Sequence, residues 1–363
     1  MKIGFFTDSY FPTIDGVTYT LRLWRNRLEQ AGHEVWIVYP DGDYRPAARE
    51  IPIKSFPNPF YSGYRIGLAR RPSKLPEFDI VHAHGPAMGG LLGLYYARKR
   101  DVPSVYTHHT PIEEYFHQSI RSRRVAELLK RAYVPIENNI LDRFDTVTTS
   151  TDQMSRDVES VRLPVGVDLE FFRPRTHSSE PGQTLIGYSG RISMEKNVGE
   201  ILRLAERLSG CDFVVVGEGP CRADLKRRAP DNVVFRDFLP RKQLPGFYST
   251  LDAFVTASTA DTLGLSTLEA NACGTPVAAA DVSPFTETIG SQNGARFEHR
   301  DLNSMVDAID RCLDNSWNTR QAVEQYSVGR TIRNLETIYG ELQTERDPSK
   351  ERLRATLEQN ARI

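Results

Sequence analysis

Two successive stretches of this chain alternate short apolar runs with segments of helical periodicity, and that alternation constrains the fold more than any other feature. In the first half the apolar runs fall at Lys2–Thr7, Glu34–Tyr39, Asp79–His82, Ser104–Thr107 and Thr146–Thr149. Helical patterns fill most of the gaps, as with Leu21, Leu23, Trp24 and Leu28 before the stop at Ala31-Gly32-His33. The second half repeats the arrangement with Thr184–Ser189, Asp212–Val216, Asn232–Phe235, Ala253–Ala257 and Pro276–Ala280. Strands that alternate with helices return parallel to one another, so the pattern predicts βαβ units and parallel sheets covered on both faces. The expected class is α/β, as two doubly wound Rossmann-like domains. A length of 363 residues agrees, because a single core stops growing near ~250–300 residues.

The domain boundary is expected near Leu163-Pro164, ahead of the loop Val165-Gly166-Val167-Asp168. That gives an N-terminal domain over 1–165 and a second domain over 166–330. Beyond Thr331 the pattern is purely helical, with Ile332, Leu335, Ile338, Tyr339 and Leu342 on one face. Residues 331–363 are expected to form a C-terminal helix packing back toward the N-terminal domain, followed by a charged tail, Gln343–Ile363, that is a solvated helix or frayed.

Charge and cysteine usage exclude several function classes. Forty-six Lys+Arg against 47 Asp+Glu leave a net charge of −1, without the basic field of a dedicated nucleic-acid binder. The four cysteines, Cys211, Cys221, Cys273 and Cys312, contain no CxxC pair. They read as small buried hydrophobes of a reducing, cytoplasmic protein, not as a disulfide framework or zinc site. The opening apolar run is broken by Asp8 and makes a better first strand than a signal peptide. The longest apolar stretch, Met88 to Ala97, falls short of the ~20 residues that a spanning helix needs, so a soluble protein with at most peripheral membrane contact is expected.

In open α/β sheets ligands bind outside the carboxyl ends of the strands, so the segments that follow each strand hold the candidate chemistry. After the first strand, Thr7 to Val17 carries Gly16 at a helix start, where backbone N–H groups can face an anion; on this stretch alone a plain turn with an N-cap is the favoured reading. After the fourth come His108 and His109, whose adjacent side chains point to opposite sides of an extended segment. With no H-x-x-x-H spacing, one imidazole as a polar cleft group is favoured over zinc.

In the second half, Gly190-Arg191-Ile192-Ser193-Met194-Glu195-Lys196-Asn197 places an Arg fork and a Lys point charge around a turn that opens a helix. This suits a diphosphate clamp, with a solvated basic loop as the plainer alternative. The run Ala260 to Ala270 sets Asp261 and Glu269 on either side of Gly264. A carboxylate there can hydrogen-bond a ribose or sugar hydroxyl, and the turn Thr262-Leu263-Gly264-Leu265 can offer N–H groups to phosphate. A capped helix with a solvated Glu is the alternative.

Taken together, FTDSYFPTIDGV, THHTPIEEYFH, LPVGVDLEFF, YSGRISMEKN, VVGEGP and ADTLGLSTLEANACGTPV resemble a GT-B glycosyltransferase of the retaining family 4 type (glycosyl transferases group 1). That family includes sucrose synthase-like, phosphatidylinositol mannosyl- and diacylglycerol glucosyltransferases. The resemblance spans residues 1–343 and implies two domains facing each other across a cleft. It implies that Gly16 lies near the donor diphosphate and His109 near the transferred sugar. Arg191 and Lys196 would neutralise the leaving group, and Glu269 would bind the nucleotide ribose. Asp261 stands where the family usually has the first Glu of an E-x7-E pattern, a departure that alters reach to the sugar hydroxyls. The leaving phosphate oxygen would take the acceptor's proton on the same face. No metal or other cofactor is expected; the nucleotide sugar is a substrate.

A lipid acceptor is suggested by the segment from Ile120 to Ile136. There Val125, Leu128, Leu129, Ala132, Tyr133 and Ile136 recur at helical spacing among Arg121, Arg123, Arg124, Lys130 and Arg131. Arg65, Arg70, Arg71 and Lys74 add a second basic cluster. Such a helix can lie on an anionic membrane, although an ordinary core-packed helix with a solvated face also fits. The leading expectation is hexose transfer to a lipid such as diacylglycerol, with UDP-glucose first and GDP-mannose next as donor. Transfer to a soluble or polysaccharide acceptor, a sugar-nucleotide epimerase and a non-catalytic nucleotide binder are the alternatives. A nicotinamide-dependent enzyme is disfavoured, because no G-x-G-x-x-G follows either opening strand.

Overall fold

The computed structural model describes residues 1–346 except 14, 59–63, 69–74, 86, 110–122, 152–157, 177–182 and 315. The chain divides into two compact units. The first is Met1–Pro164 together with the helical segment that starts at Gly329, and the second is Val165–Val328.

The first unit is built on a seven-stranded sheet in the order β3-β2-β1-β6-β7-β8-β9. Its strands are β1 (Lys2–Thr7), β2 (Glu34–Pro40), β3 (Glu50–Ile53), β6 (Ile80–His84), β7 (Ser104–His108), β8 (Thr146–Thr149) and β9 (Val161–Arg162). Every pairing within it is parallel. A small antiparallel pair, β4 (Ser55–Pro57) with β5 (Arg65–Gly67), lies outside this sheet. Among the described residues its helices are α1 (Gly16–Gln30), α2 (Met88–Arg100) and α3 (Arg123–Leu141). The last helix of the chain, Val328–Glu345, also belongs largely here, and Ile332, Leu335, Tyr339 and Leu342 are its buried face. Within the unit the Tyr339 hydroxyl of this helix is hydrogen-bonded to His82 Nδ1, and the Glu336 carboxylate accepts from His33 Nε2.

The second unit carries a six-stranded parallel sheet in the order β12-β11-β10-β13-β14-β15. These strands are β10 (Thr184–Ser189), β11 (Cys211–Val216), β12 (Val233–Arg236), β13 (Ala253–Thr256), β14 (Val277–Ala280) and β15 (Gly294–Phe297). Burial on both faces explains the unbroken apolar runs Phe213–Val216 and Val277–Ala280, every residue of which is buried. The covering helices include α4 (Val198–Arg207), α5 (Arg222–Arg227), α6 (Leu244–Ser249), α7 (Leu265–Ala272) and α9 (Leu302–Asp314), with the short α8 (Phe285–Thr288) and α10 (Thr319–Ala322). Cys273 and Cys312 are buried, Cys211 and Cys221 half-buried, and all four are free thiols.

Strand order reverses between β1 and β6 in the first sheet and between β10 and β13 in the second. These are the topological switch points, where adjacent loops at the carboxyl edge diverge and open a crevice for a ligand. The ten runs read from the sequence correspond to β1, β2, β6, β7, β8, β10, β11, β12, β13 and β14. The edge strands β3, β9 and β15 and the β4–β5 pair lie outside that reading. They are two to four residues long, and Pro52, Pro57 and Gly294 interrupt their patterns.

Candidate active site

The richest loops follow β10 and β13, the two strands that flank the second switch point. The segment after β10 is held through its backbone. Gly190 N–H donates to Val216 O at 3.1 Å, and Ile192 N–H donates to Glu218 O at 2.8 Å. The opposing Gly217 and Gly219 have φ of 140° and 157°. A Cβ at these positions would come within 1.9 Å of Gly190 O and 2.3 Å of Ile192 O, so only glycine lets the two loops press together. The Tyr188 hydroxyl donates to Arg191 O at 2.9 Å. The backbone of the Gly190–Ile192 turn is thus fixed, while Arg191 lies exposed.

The same loop is laced to the one after β13. Asn197, in the left-handed region at φ 49°, donates its amide to Ala257 O at 3.0 Å and Glu195 O at 3.2 Å. Thr259 N–H donates to Glu195 O at 3.0 Å. This brings together two residues 65 apart in sequence: Lys196 Nζ lies 2.8 Å from Asp261 Oδ1 and 3.0 Å from Ala260 O. The sequence reading placed Lys196 and Asp261 in separate motifs; the structure makes them an ion pair.

Gly264, at φ 71°, starts α7 with no side-chain cap, and a Cβ there would meet the Phe285 ring at 2.6 Å. The first-turn N–H groups of α7 therefore follow directly on the half-buried Thr262 and the buried Leu263. One turn further along, Glu269 is 6% exposed, which removes the alternative of a solvated glutamate. Its carboxylate accepts from the Tyr248 hydroxyl at 3.1 Å and from the Arg241 guanidinium at 3.3 Å. Arg241 in turn lies over the rings of Phe172 at 4.9 Å and Phe171 at 5.7 Å. Burial pushes the Glu269 carboxyl above its ordinary range, and Arg241 and Tyr248 pull it back down. Arg241 and Tyr248 lie outside the motifs read from the sequence, and Asn197 stood there only as the end of the Gly190–Asn197 segment, with no role given to it.

In the first unit, Asp15 caps α1, accepting from Thr18 N–H at 2.8 Å, from the Ser9 hydroxyl at 2.6 Å and from Tyr64 at 3.1 Å. Gly16 is accordingly the first helical residue of a firmly capped turn. Across the switch point Asp8 accepts from Ala87 N–H at 2.9 Å and Gly89 N–H at 2.7 Å, tying the β1 loop to the start of α2.

His108 and His109 find different surroundings. His108 approaches Glu137 of α3 at 3.9 Å. His109 Nε2 lies 3.0 Å from His84 Nδ1, with Trp24 packed against both rings. His82 bridges the Tyr339 hydroxyl and Thr107 Oγ1, each at 2.6 Å. Burial holds His82 and His84 well below the ordinary imidazole range and lowers His109 to about 4, so all three are neutral at pH 7. Among the described residues no three His, Cys, Asp or Glu side chains group as metal ligands do.

This fold, with its polar loops gathered at the carboxyl edges, is that of the GT-B glycosyltransferases. The sucrose-phosphate synthase of Thermosynechococcus elongatus matches 94% of this chain and 98% of its own, with a TM-score of 0.74 at 17% identity. HepE of Anabaena, solved in complex with UDP-glucose, matches 94% and 100% with a TM-score of 0.70 at 15% identity. At such identities the likeness is one of fold.

Sequence goes further. Residues 14–171 match the model for Glycosyltransferase Family 4, and residues 171–329 match that for Glycosyl transferases group 1. The alpha-monoglucosyldiacylglycerol synthase of Streptococcus pneumoniae is 30% identical over 312 residues, 77% of this chain and 71% of that protein. A GDP-mannose-dependent alpha-(1-6)-phosphatidylinositol dimannoside mannosyltransferase of Mycobacterium tuberculosis is 27% identical over 297 residues, 74% and 77% of the two chains. The chain belongs to the family 4 type of GT-B glycosyltransferases.

Proposed function

We propose that this protein is a retaining, metal-independent hexosyltransferase that moves a sugar from a nucleotide donor, UDP-glucose first and GDP-mannose next, to a membrane lipid such as diacylglycerol. The observation that carries the reading is the convergence at one switch point of Lys196, the start of α7 and a buried Glu269 held by Arg241. Cleavage of a sugar–phosphate bond develops negative charge on the diphosphate, and preorganised cations and N–H groups are the strongest lever on that barrier. Arg191, Lys196, Gly190 and the Thr262–Leu265 turn take the diphosphate in this reading. In the same reading Gly16 is assigned to the donor diphosphate, His109 to the transferred sugar, and Asp261 and Glu269 to the sugar and ribose hydroxyls. The acceptor hydroxyl attacks the anomeric carbon, the bond electrons leave on the diphosphate, and the hydroxyl proton passes to a phosphate oxygen.

The named activities of the relatives favour a lipid acceptor, and so does the surface of α3. Leu128 and Ile136 are 68% and 60% exposed, with Val125, Leu129, Arg124 and Arg131 exposed beside them. Apolar side chains left this bare on a basic helix are what a membrane surface covers. The second basic cluster contributes less: Arg65 is engaged by Asp41 and Ser55, and Arg70, Arg71 and Lys74, like Arg121, lie outside the described residues. No helix among the described residues is long and apolar enough to cross a membrane, so peripheral contact at the inner, cytoplasmic face is the proposed location.

Two measurements test this. Thermal shift with UDP, GDP, ADP and their sugar conjugates should pick out one base, because ligand at ~100 times its Kd adds about 2.7 kcal/mol to apparent stability. Absence of any shift, with vesicles present or not, would sink the donor reading. Sedimentation with anionic vesicles should carry the protein down, and Leu128→Asp with Ile136→Asp should leave it in the supernatant. Full turnover on a soluble acceptor without vesicle binding would instead support a soluble-acceptor transferase, and release of an altered sugar without any acceptor would support an epimerase.

Glu269 gives a third test. Its raised pKa means that the ionised, ribose-binding form is lost at a higher pH than for an ordinary glutamate. Nucleotide affinity should therefore fall on acidification, starting at a higher pH than an ordinary glutamate would set. Glu269→Gln should bind nucleotide roughly 10–100-fold more weakly at pH 7, the worth of one hydrogen bond to a charged group, with that pH dependence gone. Calorimetric titration at several pH values checks both.

A further inference from the structure

We propose that His84 is a positioning residue: its Nδ1–H donates to His109 Nε2, locking the His109 ring and leaving that imidazole's single proton on Nδ1. The inference rests on the reading of His109 as the group that meets the transferred sugar.

His84 closes β6 and His109 directly follows β7, so both stand at the carboxyl edge of neighbouring parallel strands, with 3.0 Å between His84 Nδ1 and His109 Nε2. A neutral imidazole carries one proton on one nitrogen and a lone pair on the other. The bond between the two rings can therefore be made in only two ways. If His109 Nε2–H donates to His84 Nδ1, the proton of His84 must sit on its Nε2. That atom is buried, and it has no hydrogen-bond partner among the described residues. A buried N–H without an acceptor is among the rarest defects in folded proteins, whereas an unused lone pair is better tolerated. The second arrangement avoids the orphaned donor: His84 carries its proton on Nδ1, donates it to His109 Nε2, and leaves only a bare lone pair on its own Nε2. His109 is then the Nδ1–H tautomer, a neutral donor on its other edge.

The packing keeps His84 from turning. Its ring lies 4.0 Å from that of His82 at a 33° tilt, 4.7 Å from Phe5 and 5.8 Å from Trp24. His82 is itself pinned at both nitrogens, by Tyr339 and Thr107, and Thr107 continues to Thr148 Oγ1 at 2.7 Å. The proton arrangement of His109 is thus set by a stack of buried rings behind it.

Two readouts test this. In the full-length protein with ¹⁵N-labelled histidine, ring nitrogen shifts and long-range couplings report each tautomer, and the His109 signals are assigned by their loss in His109→Gln. The expected result is a protonated Nδ1 and a bare Nε2 on His109; a protonated Nε2 overturns the inference whether or not any variant folds. In steady-state assays, His84→Ala should lower kcat roughly 10–100-fold, as the loss of a group orienting a reactive imidazole does. Donor KM should stay within about threefold, because a purely orienting role acts on turnover. His84→Asn, whose amide N–H stands where Nδ1 stood, should recover most of kcat. Equal losses in Ala and Asn variants that melt like the wild-type protein count against the inference. Unchanged turnover in His109→Ala removes the reading beneath it, and the tautomer measurement keeps those two failures distinguishable.

Discussion

Replacing Lys196 by Ala is expected to lower turnover by two to three orders of magnitude, the range for losing one preorganised stabiliser of transition-state charge, equivalent to about 2.7–4 kcal/mol. The structure adds a competing effect, because Lys196 is paired with Asp261 at 2.8 Å in a setting where the two side chains are 18% and 24% exposed. Removing the ammonium leaves that carboxylate without its partner. The cost should lie between the ~0–1 kcal/mol of a surface pair and the ~3–5 kcal/mol of a fully buried one. On the order of 1–2 kcal/mol corresponds to a loss of only a few degrees in the melting temperature of a unit this size. The protein therefore stays folded at assay temperature, and the kinetic loss is readable. Arg191→Ala is the cleaner companion, since Arg191 is exposed and its backbone is held independently by Tyr188. Asp261→Asn separates the roles further: it removes the counter-charge but leaves the ammonium, so it should cost much less turnover than Lys196→Ala. Near-normal turnover for Lys196→Ala or Arg191→Ala would overturn the diphosphate assignment.

Why the loops were legible and their internal partnerships were not follows from the period and range of each signal. A parallel strand buried on both faces has to be apolar throughout, so runs such as Val214-Val215-Val216 announce themselves, and the segment after each is a candidate by topology alone. The short edge strands β3 and β15, interrupted by Pro52 and Gly294, and the two-residue β9 carry too little pattern, whereas β12, also at an edge, keeps the apolar run Val233-Val234-Phe235. Side-chain partners are a different matter. Glu269 depends on Tyr248 and Arg241, 21 and 28 residues away, and Lys196 finds Asp261 at a separation of 65. No local period encodes such pairings, because they exist only once the chain has folded, and the Lys196–Asp261 pair only once β10 and β13 lie side by side. Asn197 is intermediate: its left-handed backbone suits an asparagine, yet the carbonyl it reaches lies 60 residues on. The histidines divide in the same way. His82 and His84, two apart on a strand, had to share a face, and the alternation that puts them there was readable in the sequence. Their meeting with His109 from the next strand and Tyr339 from the last helix was not, and the reading dwelt on the adjacent pair His108 and His109 instead.

Those buried histidines lead to the second large effect, acid sensitivity of the first unit well above the pH at which carboxylates protonate. His109 is held at about 4 in the folded protein against 6.5 unfolded, and His82 and His84 are shifted in the same direction, each mainly by burial. Between these limits the unfolded chain binds more protons than the folded one, so stability is fully present above pH ~6.5 and falls as pH drops toward the folded value. A shift of this size in His109 alone is worth about 3 kcal/mol, and the other two imidazoles add to it. Against a total stability of roughly 5–15 kcal/mol the His109 share alone is a substantial fraction, so the unit should lose stability steadily as pH falls from about 6.5 toward 4. Asp8 works in the opposite direction, since burial raises its pKa and its protonation favours the folded state at low pH, but it is one group against three. Urea denaturation between pH 7.5 and 4.5 checks the sum, with Trp24 reporting from within the cluster. The midpoint should hold above pH 7 and then fall continuously. His109→Gln, which removes one titrating ring, should show a shallower fall from pH 6.5 downward than the wild-type protein. A midpoint unchanged from pH 7.5 to pH 5 would mean that the three imidazoles titrate alike in the folded and unfolded chains, and the buried neutral stack would have to be abandoned.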